Sequence, residues 1–269
     1  MTVLRRESWV GLVAVALGTL AVLVIYASYA YSLRTASYLT GWTLFAVMIW
    51  LALLNARKKI NTVPIGRATL WVDVHVWLGV LAVAIFAVHV HFREPKGWVE
   101  GALAVVFGIA VVSGIVGIFL SRTVPRRLRT RGEQVIFERQ PIFRRRLREE
   151  LDGVVAGVTS SESLSDFYAR RLIPFFAEPR NLWHHLLQSR TPAHALLTEL
   201  DGLGRYLDEN ERAAQQTIAE LIRVKDDLDY HYAHQTALKY WLFVHIPVAY
   251  TLLVLAIVHV TLVYTYRGP

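Results

Sequence analysis

The sequence predicts an all-α integral membrane protein, a bundle of five transmembrane helices with a helical insert between the fourth and the fifth helix. Hydrophobic residues make up 54% of the 269 positions and the mean hydropathy is +0.37, which exceeds the values of a typical soluble domain. Five apolar segments are each about 20 residues long, the length that a helix needs to cross a bilayer. The roughly 117 residues between the fourth and fifth segments are mostly polar. We therefore divide the chain into residues 1–121, 122–238 and 239–269.

The predicted spans are bounded or interrupted by residues that disfavour a continuing apolar helix. The basic residues 57–59 follow the second span, and Pro95 with Gly97 forms the turn after the third. Pro247 lies one turn inside the fifth span and is expected to kink it. The first span lacks the small-x-small exit of a cleaved signal peptide, so we expect it to be a true span. The predicted spans are residues 9–31, 39–55, 70–92, 98–120 and 239–264.

Glycines recur at helical spacing in the first and fourth predicted spans. Gly11 and Gly18 lie seven positions apart, on nearly one face, where small residues permit the close approach of a neighbouring helix. Ordinary helix filling explains this pair equally well. Gly114 and Gly117 would leave a smooth patch, which suits either helix packing or a porphyrin, and the sequence does not separate the two interpretations.

The absence of cysteine limits the cofactors that the chain can hold. It excludes disulfides, cysteine-ligated iron–sulfur clusters and covalently attached c-type haem within this chain. The formal net charge is +8, and most of the excess lies beside the apolar segments. This distribution indicates membrane topology and contact with membrane lipids, and we expect no nucleic-acid partner.

The insert is expected to form a small helical domain. Its first part, 122–148, holds ten arginines and two glutamates, a basic strip that suits anionic lipid headgroups. Its last part, 199–229, holds nine acidic and four basic residues, which usually indicates a solvated face. Residues 209–238 contain few helix breakers and repeated apolar positions, so we predict a helix that continues into the fifth span. No nucleotide-binding loop is recognisable, which argues against a flavin or nicotinamide domain.

Basic residues near the ends of the spans predict the orientation of the chain. The side of the membrane that carries the N-terminus and the insert collects seven basic residues and the arginine-rich strip, against four basic residues on the other side. By the positive-inside rule, the N-terminus and the insert lie in the cytoplasm and the C-terminus lies outside, as in a multi-pass protein of a bacterial-type inner membrane. The third and fifth spans then both run outward.

Four histidines share one spacing in the third and fifth spans. His75 and His89 are fourteen positions apart, and so are His245 and His259. Fourteen residues return to nearly the same face of a helix and advance about 21 Å along it. A lone histidine in an apolar helix is usually a core residue, but four of them inside lipid are costly and indicate a function. Since the two spans are parallel, we predict that His75 and His245 bind an inner haem and that His89 and His259 bind an outer one.

These two stretches resemble the di-haem core of membrane b-type cytochromes, such as the cytochrome b of quinol–cytochrome c reductase, in which two parallel helices each carry two histidines. Transmembrane ferric reductases and the b-type anchor subunits of quinone-linked dehydrogenases are similar in outline. The resemblance covers the third and fifth spans, about a sixth of the chain, and implies that the four histidines are axial ligands of two b haems. The chain lacks the Pro-Glu-Trp-type quinol motif and the flavin domain of these families, so the specific family stays open.

Further candidate groups flank the two histidine levels. Haem propionates need cations, and the candidates for this role are Arg67 at the inner level and Arg93 at the outer level, although both positions favour interfacial anchors. His91 follows His89 by two positions and faces headgroups, a partner or a quinone, or replaces His89 as a ligand. The shared helical face favours His89.

The remaining histidines belong to the insert. His231 and His234 are three positions apart on the predicted helix and form only a weak candidate metal pair, because no carboxylate or cysteine stands at ligand spacing. The other three are predicted to be surface residues: His184, His185 and His194.

The predicted function is electron transfer between quinone or quinol and a partner redox protein. Iron with two imidazole ligands is coordinatively saturated, which suits electron transfer better than oxygen binding. The chain would be the electron-transfer subunit of a hetero-oligomeric, quinone-linked oxidoreductase complex, with an external partner such as a multihaem c-type cytochrome or an iron–sulfur protein. A quinone pocket is expected at the outer level, beside His91. The alternatives are a transporter or channel subunit whose histidines relay protons, and a non-redox anchor or signalling subunit.

Overall fold

The structure, a computed structural model, describes the backbone of residues 2–31, 36–59, 68–91, 95, 97–129, 131, 137–158 and 162–267. Side chains are described for 11–28, 37–54, 69–91, 95, 97–129, 131, 137–158 and 162–266. Within these ranges the chain is helical and contains no strand. The predicted all-α class is therefore confirmed.

Among the described residues, five helices are long and apolar enough to cross a membrane. Each coincides with one of the predicted spans, so the number of apolar helices and their places in the chain are confirmed. The first four are α1 Thr2–Tyr31, α2 Ala36–Lys59, α3 Ala68–His89 and α4 Trp98–Leu128. The fifth apolar segment is the second half of the longest helix, α10 Glu209–Arg267, which includes Pro247 without ending there.

The helices divide into two compact units. The first comprises Met1–Ile118 and Trp241–Pro269, and the second comprises Phe119–Tyr240. The first unit buries a layer of apolar side chains contributed by four of its helices, in which the rings of Phe86 and Phe107 stack with their centroids 4.2 Å apart. The buried residues of this layer are Leu44, Met48, Ala82, Ile85, Phe107, Leu252 and Ala256. Large apolar side chains elsewhere in the unit face outward, as expected of helices whose surroundings are lipid.

Two glycines of the first unit lie against tryptophan rings. A Cβ atom at Gly11 would lie 2.0 Å from the ring of Trp77, and one at Gly117 would lie 2.0 Å from the ring of Trp241. Real Cβ atoms do not approach other atoms so closely, so any side chain at either position would displace a tryptophan. The close approach expected at Gly11 is therefore present, and at Gly117 the structure shows side-chain packing.

The second unit is a set of short helices packed on α10. Their common core includes Leu151, Leu164, Phe176, Ile218 and Ile222. The predictions of a helical insert and of one helix that continues into the fifth span are both confirmed. The helices are α5 Gln140–Ala156, α6 Glu162–Phe167, α7 Ile173–Ala177, α8 Leu182–Leu186 and α9 Thr191–Leu203, with a π-helical turn at Tyr168–Leu172 and 3-10 turns at Phe137–Arg139 and Gly204–Tyr206.

The end of α3 differs from the prediction. The third span was expected to continue to residue 92, but α3 ends at His89. His91 has a φ of 54°, the left-handed conformation in which helices commonly end. The helical phase used to compare His91 with His89 therefore does not apply, because His91 lies outside the helix.

Candidate functional site

The structure brings His75 of α3 and His245 of α10 together. Their ring centroids are 6.4 Å apart and their planes are inclined by 71°. A bond between an imidazole nitrogen and a metal such as zinc is about 2 Å long, so two imidazoles on opposite sides of one metal ion have ring centroids about 6 Å apart. The 6.4 Å separation of the His75 and His245 ring centroids is close to this value, and it also lies within the range of an edge-to-face contact between two rings.

His245 is held in place by two residues of its surroundings. Its Nδ1 atom lies 3.1 Å from the hydroxyl of Ser113, a hydrogen bond in which the imidazole N–H can be the donor. Trp241 stacks on the imidazole with centroids 5.3 Å apart, and its Nε1 donates to the carbonyl oxygen of Ser113 at 2.8 Å. An imidazole bound through Nδ1 presents Nε2 to a metal, which is the usual arrangement of histidine ligands.

The outer level repeats this arrangement with a hydroxyl from α2. The Nδ1 atom of His89 lies 3.1 Å from Oγ1 of Thr40, and the Thr40 hydroxyl donates to the carbonyl oxygen of Ser37 at 3.2 Å. While the Thr40 hydroxyl donates to Ser37, its oxygen can accept from an Nδ1–H group of His89. In that tautomer the lone pair of the imidazole is on Nε2.

Gly41, which follows Thr40 in α2, leaves space beside His89. A Cβ atom at Gly41 would lie 3.0 Å from Cε1 of His89, so a larger residue would press on the imidazole. His259 of α10 is half-buried and lies within electrostatic range of His89. The outer level thus has a histidine that contacts a hydroxyl, His89, and a second histidine that affects it electrostatically, His259.

The two levels are separated by the apolar layer of the first unit. Ala82 and Ile85 lie between the two histidines of α3, and Leu252 and Ala256 lie between those of α10. Fourteen helical residues correspond to about 21 Å, which exceeds the length of any single side chain. The levels are therefore two separate sites within one bundle.

The residues assigned to the haem propionates, Arg67 and Arg93, lie outside the described residues, so their roles stay predictions. His91 is exposed, and its ring lies edge-on to that of Tyr26 with the centroids 5.7 Å apart. The contact joins α1 to the turn that follows the end of α3.

His231 and His234 of the insert each contact a backbone carbonyl oxygen. The Nε2 atom of His231 lies 2.6 Å from the carbonyl oxygen of Arg131, and the Nδ1 atom of His234 lies 3.0 Å from that of Tyr230. Both side chains are buried. Within the described ranges, no group of three histidine, cysteine, aspartate or glutamate side chains is placed to hold a metal ion.

The prediction that His185 lies on the surface is wrong, because its side chain is only 2% exposed. Its ring packs against Tyr230, and its Nε2 atom lies 3.7 Å from a carboxylate oxygen of Asp226. Helix α8 has only five residues, which is too short to show a periodic pattern from which its buried side could be read. His184 and His194 are exposed, as predicted.

A buried polar cluster in the insert was missed by sequence analysis. Lys225 forms an ion pair with Asp229 and donates to the carbonyl oxygen of Glu178 at 2.8 Å, and Asp226 lies 3.7 Å from Arg131. Burial raises the pKa of Asp226 to about 6 and lowers the pKa of His185 to about 4. The acidic run 199–229 was interpreted as a solvated face, but the packing of α7 and α8 on α10 buries part of it.

No family model, curated protein or solved structure matches the chain significantly. A functional assignment therefore depends on the chain's own residues. Among the described side chains that the sequence singled out, His75 and His245 come together, with their ring centroids 6.4 Å apart.

Proposed function

We propose that this chain is a membrane di-haem b cytochrome that carries electrons between quinone or quinol and a partner redox protein. The observation that supports it most directly is the 6.4 Å separation of the His75 and His245 rings, within apolar helices where ionisable side chains are costly. His75 and His245 would hold one b haem, and His89 and His259 would hold the other. Iron bound by two imidazoles supplies reversible one-electron transfer without an open coordination position.

The chain's own residues would prepare this site in two ways. The hydroxyls of Ser113 and Thr40 hold the Nδ1 atoms of His245 and His89, which fixes the orientation of each ring and makes Nε2 a more basic ligand. The apolar layer between the levels would keep water out of the bundle, which would limit proton leakage.

The proposed topology places the N-terminus and the insert in the cytoplasm of a bacterial-type cell and the C-terminus outside. It is supported by the excess of basic residues near the corresponding ends of the spans. In this orientation the level of His89 and His259 is the outer one, and the redox partner would be an external multihaem c-type cytochrome or iron–sulfur protein in a hetero-oligomeric complex.

A quinone pocket is proposed at the outer level, near His91. It is supported by the exposed imidazole of His91 beside the ring of Tyr26, since quinol oxidation releases protons that a histidine can accept near neutral pH. We expect His91→Leu to slow haem reduction by quinol at least tenfold while both haems are retained. His194→Leu, at another exposed histidine, is the control. An unchanged rate in His91→Leu would exclude this pocket.

The di-haem assignment is tested by a reduced-minus-oxidised spectrum and by pyridine haemochrome quantitation of the purified chain. We expect two b haems per chain in the wild type and about one in His245→Ala or His89→Ala, because the levels are separate. His184→Ala, in an exposed histidine of the insert, should retain two. A purified chain without Soret and α bands would overturn the proposal and favour a proton-relay function for the same histidines.

A further inference from the structure

The insert carries a second surface whose chemistry is independent of the histidine sites. We propose that the insert binds anionic phospholipid headgroups through one face formed by Arg139, which directly precedes α5, and by the first two turns of α5, here called the α5 face. Its apolar members are Ile142 and Phe143, which are 54% and 39% exposed, and its basic members are Arg139 and Arg146. These residues are spaced i, i+3, i+4 and i+7, so they project from one side of the helix.

The two arginines are available for a ligand. Within the described part of the chain, neither Arg139 nor Arg146 takes part in an ion pair. The guanidinium of Arg146 lies 5.9 Å from the ring centroid of Phe143, so a positive charge and an exposed apolar side chain are neighbours on this face. A guanidinium pairs with phosphate oxygens through two parallel hydrogen bonds, and neighbouring apolar side chains can enter the headgroup region.

The start of α5 is anchored close to the point where the chain enters its fifth apolar segment. Phe137 stacks on Tyr232 with centroids 5.4 Å apart, and Lys239 lies 4.2 Å from the centroid of the Phe137 ring. Gln140 donates from Nε2 to Oε1 of Gln235 at 3.0 Å. Since Lys239 is the first residue of the predicted fifth span, these contacts place the start of α5 beside the residue at which that span begins.

The charge along α5 favours a membrane over a soluble partner as the occupant of this face. Arginines occupy the tethered half of the helix, at positions 144–146 and 148, and acidic residues follow at 149, 150 and 152. Such a gradient directs the basic half toward an anionic bilayer and the acidic half away from it, because charge–surface interactions fall off within about 10 Å at moderate salt.

The lack of cysteine in the chain permits a site-specific test. Full-length Ile142→Cys, labelled with bimane, is placed in nanodiscs of phosphatidylcholine that contain a nitroxide on the lipid headgroup, with or without phosphatidylglycerol. We expect quenching that depends on phosphatidylglycerol and is reversed by about 1 M NaCl, at which the Debye length is about 3 Å. Val224→Cys, another exposed apolar position of the insert, should show no such dependence.

A charge-matched pair of double variants distinguishes specific binding from a general effect of net charge. Arg139→Gln with Arg146→Gln should abolish the lipid-dependent quenching, since each basic residue near an anionic bilayer contributes about a fivefold factor to binding. Arg170→Gln with Arg171→Gln removes the same charge from arginines that are paired with Asp166 and Glu199 and should leave the quenching intact.

Quenching that is absent, independent of phosphatidylglycerol, or equal in both double variants would overturn the proposal. A bimane that stays accessible to iodide in all nanodiscs would do so as well, and would assign the face to a soluble acidic partner.

Discussion

At the scale of single residues, two hydroxyl groups contact the candidate ligand histidines and affect the orientation of their rings. Thr40 and Ser113 belong to different helices, yet each contacts the Nδ1 atom of one histidine, His89 or His245. The sequence predicted the histidines because their spacing is periodic, but not these hydroxyls, since a threonine and a serine in apolar helices carry no comparable pattern. Their roles follow only from the packing of α2 and α4 beside the histidine-bearing helices.

The first prediction concerns the hydroxyl of Thr40. Thr40→Val removes the acceptor of the His89 Nδ1–H group while preserving the shape of the side chain, so Nε2 becomes a less basic ligand and stabilises ferric iron less. We expect the midpoint potential of one haem to rise by up to about 60 mV, which corresponds to a tenfold change for a one-electron couple. Redox titration of the full chain measures this shift. The control is Thr43→Val, which removes a hydroxyl that donates to the carbonyl oxygen of Leu39 in its own helix. Equal shifts of the midpoint potential in both variants would contradict the prediction.

The second prediction concerns the buried pair His185 and Asp226. The pKa of His185 is lowered from 6.5 to about 4, by burial and then by Arg131 and Lys225, so its contribution to stability is lost as the pH falls from about 6.5 to 4. The pKa of Asp226 is raised from 3.8 to about 6, by burial against the opposing effect of Arg131, so its contribution is present at low pH and is lost as the pH rises through 6. The two effects have opposite signs over nearly the same range.

In the wild type, the two residues together should therefore make the free energy of unfolding depend little on pH between about pH 4 and 6. Each single variant should reveal the pH dependence that the remaining residue contributes. In Asp226→Asn, the free energy of unfolding should fall on acidification by about 1.4 kcal/mol per pH unit, and in His185→Gln it should rise by a similar amount. Urea unfolding of the full chain, followed by circular dichroism, measures both slopes. Asp201→Asn, at an exposed aspartate, serves as the control, and slopes of the same sign in the two variants would refute this account.

At the scale of elements, hydrophobic periodicity predicted the long helices and failed for the short ones. The five apolar helices and the continuity of α10 were predictable because each spans many turns. The end of α3 was misplaced by three residues, since the apolar pattern continues through a residue with a left-handed backbone, His91. The burial of His185 was missed because α8 has a single turn and its environment comes from α10, about forty residues later in the chain.

The third prediction concerns the packing of α4 on α10. A Cβ atom at Gly117 would overlap the ring of Trp241, which in turn stacks on His245. Gly117→Ala should therefore displace the imidazole, destabilise the chain by about 1–3 kcal/mol and lower the occupancy of the inner haem, as measured by thermal unfolding and by pyridine haemochrome. Gly108→Ala is the matched control on the same helix, because nothing lies within 4 Å of its added carbon; it should be neutral or slightly stabilising. Equal haem content in the two variants would show that Trp241 does not position His245.

At the scale of the whole molecule, the order of the spans decides which histidines can share a level. One span, α4, stands between α3 and the last span in the chain, so α3 and the last span would cross a membrane in the same direction. The counterpart of His75 is then His245 rather than His259. The contact between the His75 and His245 rings agrees with this parity. The absolute direction is a separate matter, which depends on the positive-inside rule alone.

The last prediction tests that direction with the cysteine-free chain. Pro95 and Leu187 are both exposed, and the proposed topology places Pro95 outside and Leu187, in the insert, in the cytoplasm. In intact spheroplasts, a membrane-impermeant maleimide should label Pro95→Cys and should leave Leu187→Cys unlabelled until the membrane is permeabilised. The reverse pattern would invert the topology, so that the level of His75 and His245 would face the external partner and that of His89 and His259 the cytoplasm. Labelling of both sites in intact spheroplasts would instead contradict the five-span arrangement, because the chain crosses the membrane once between Pro95 and the insert.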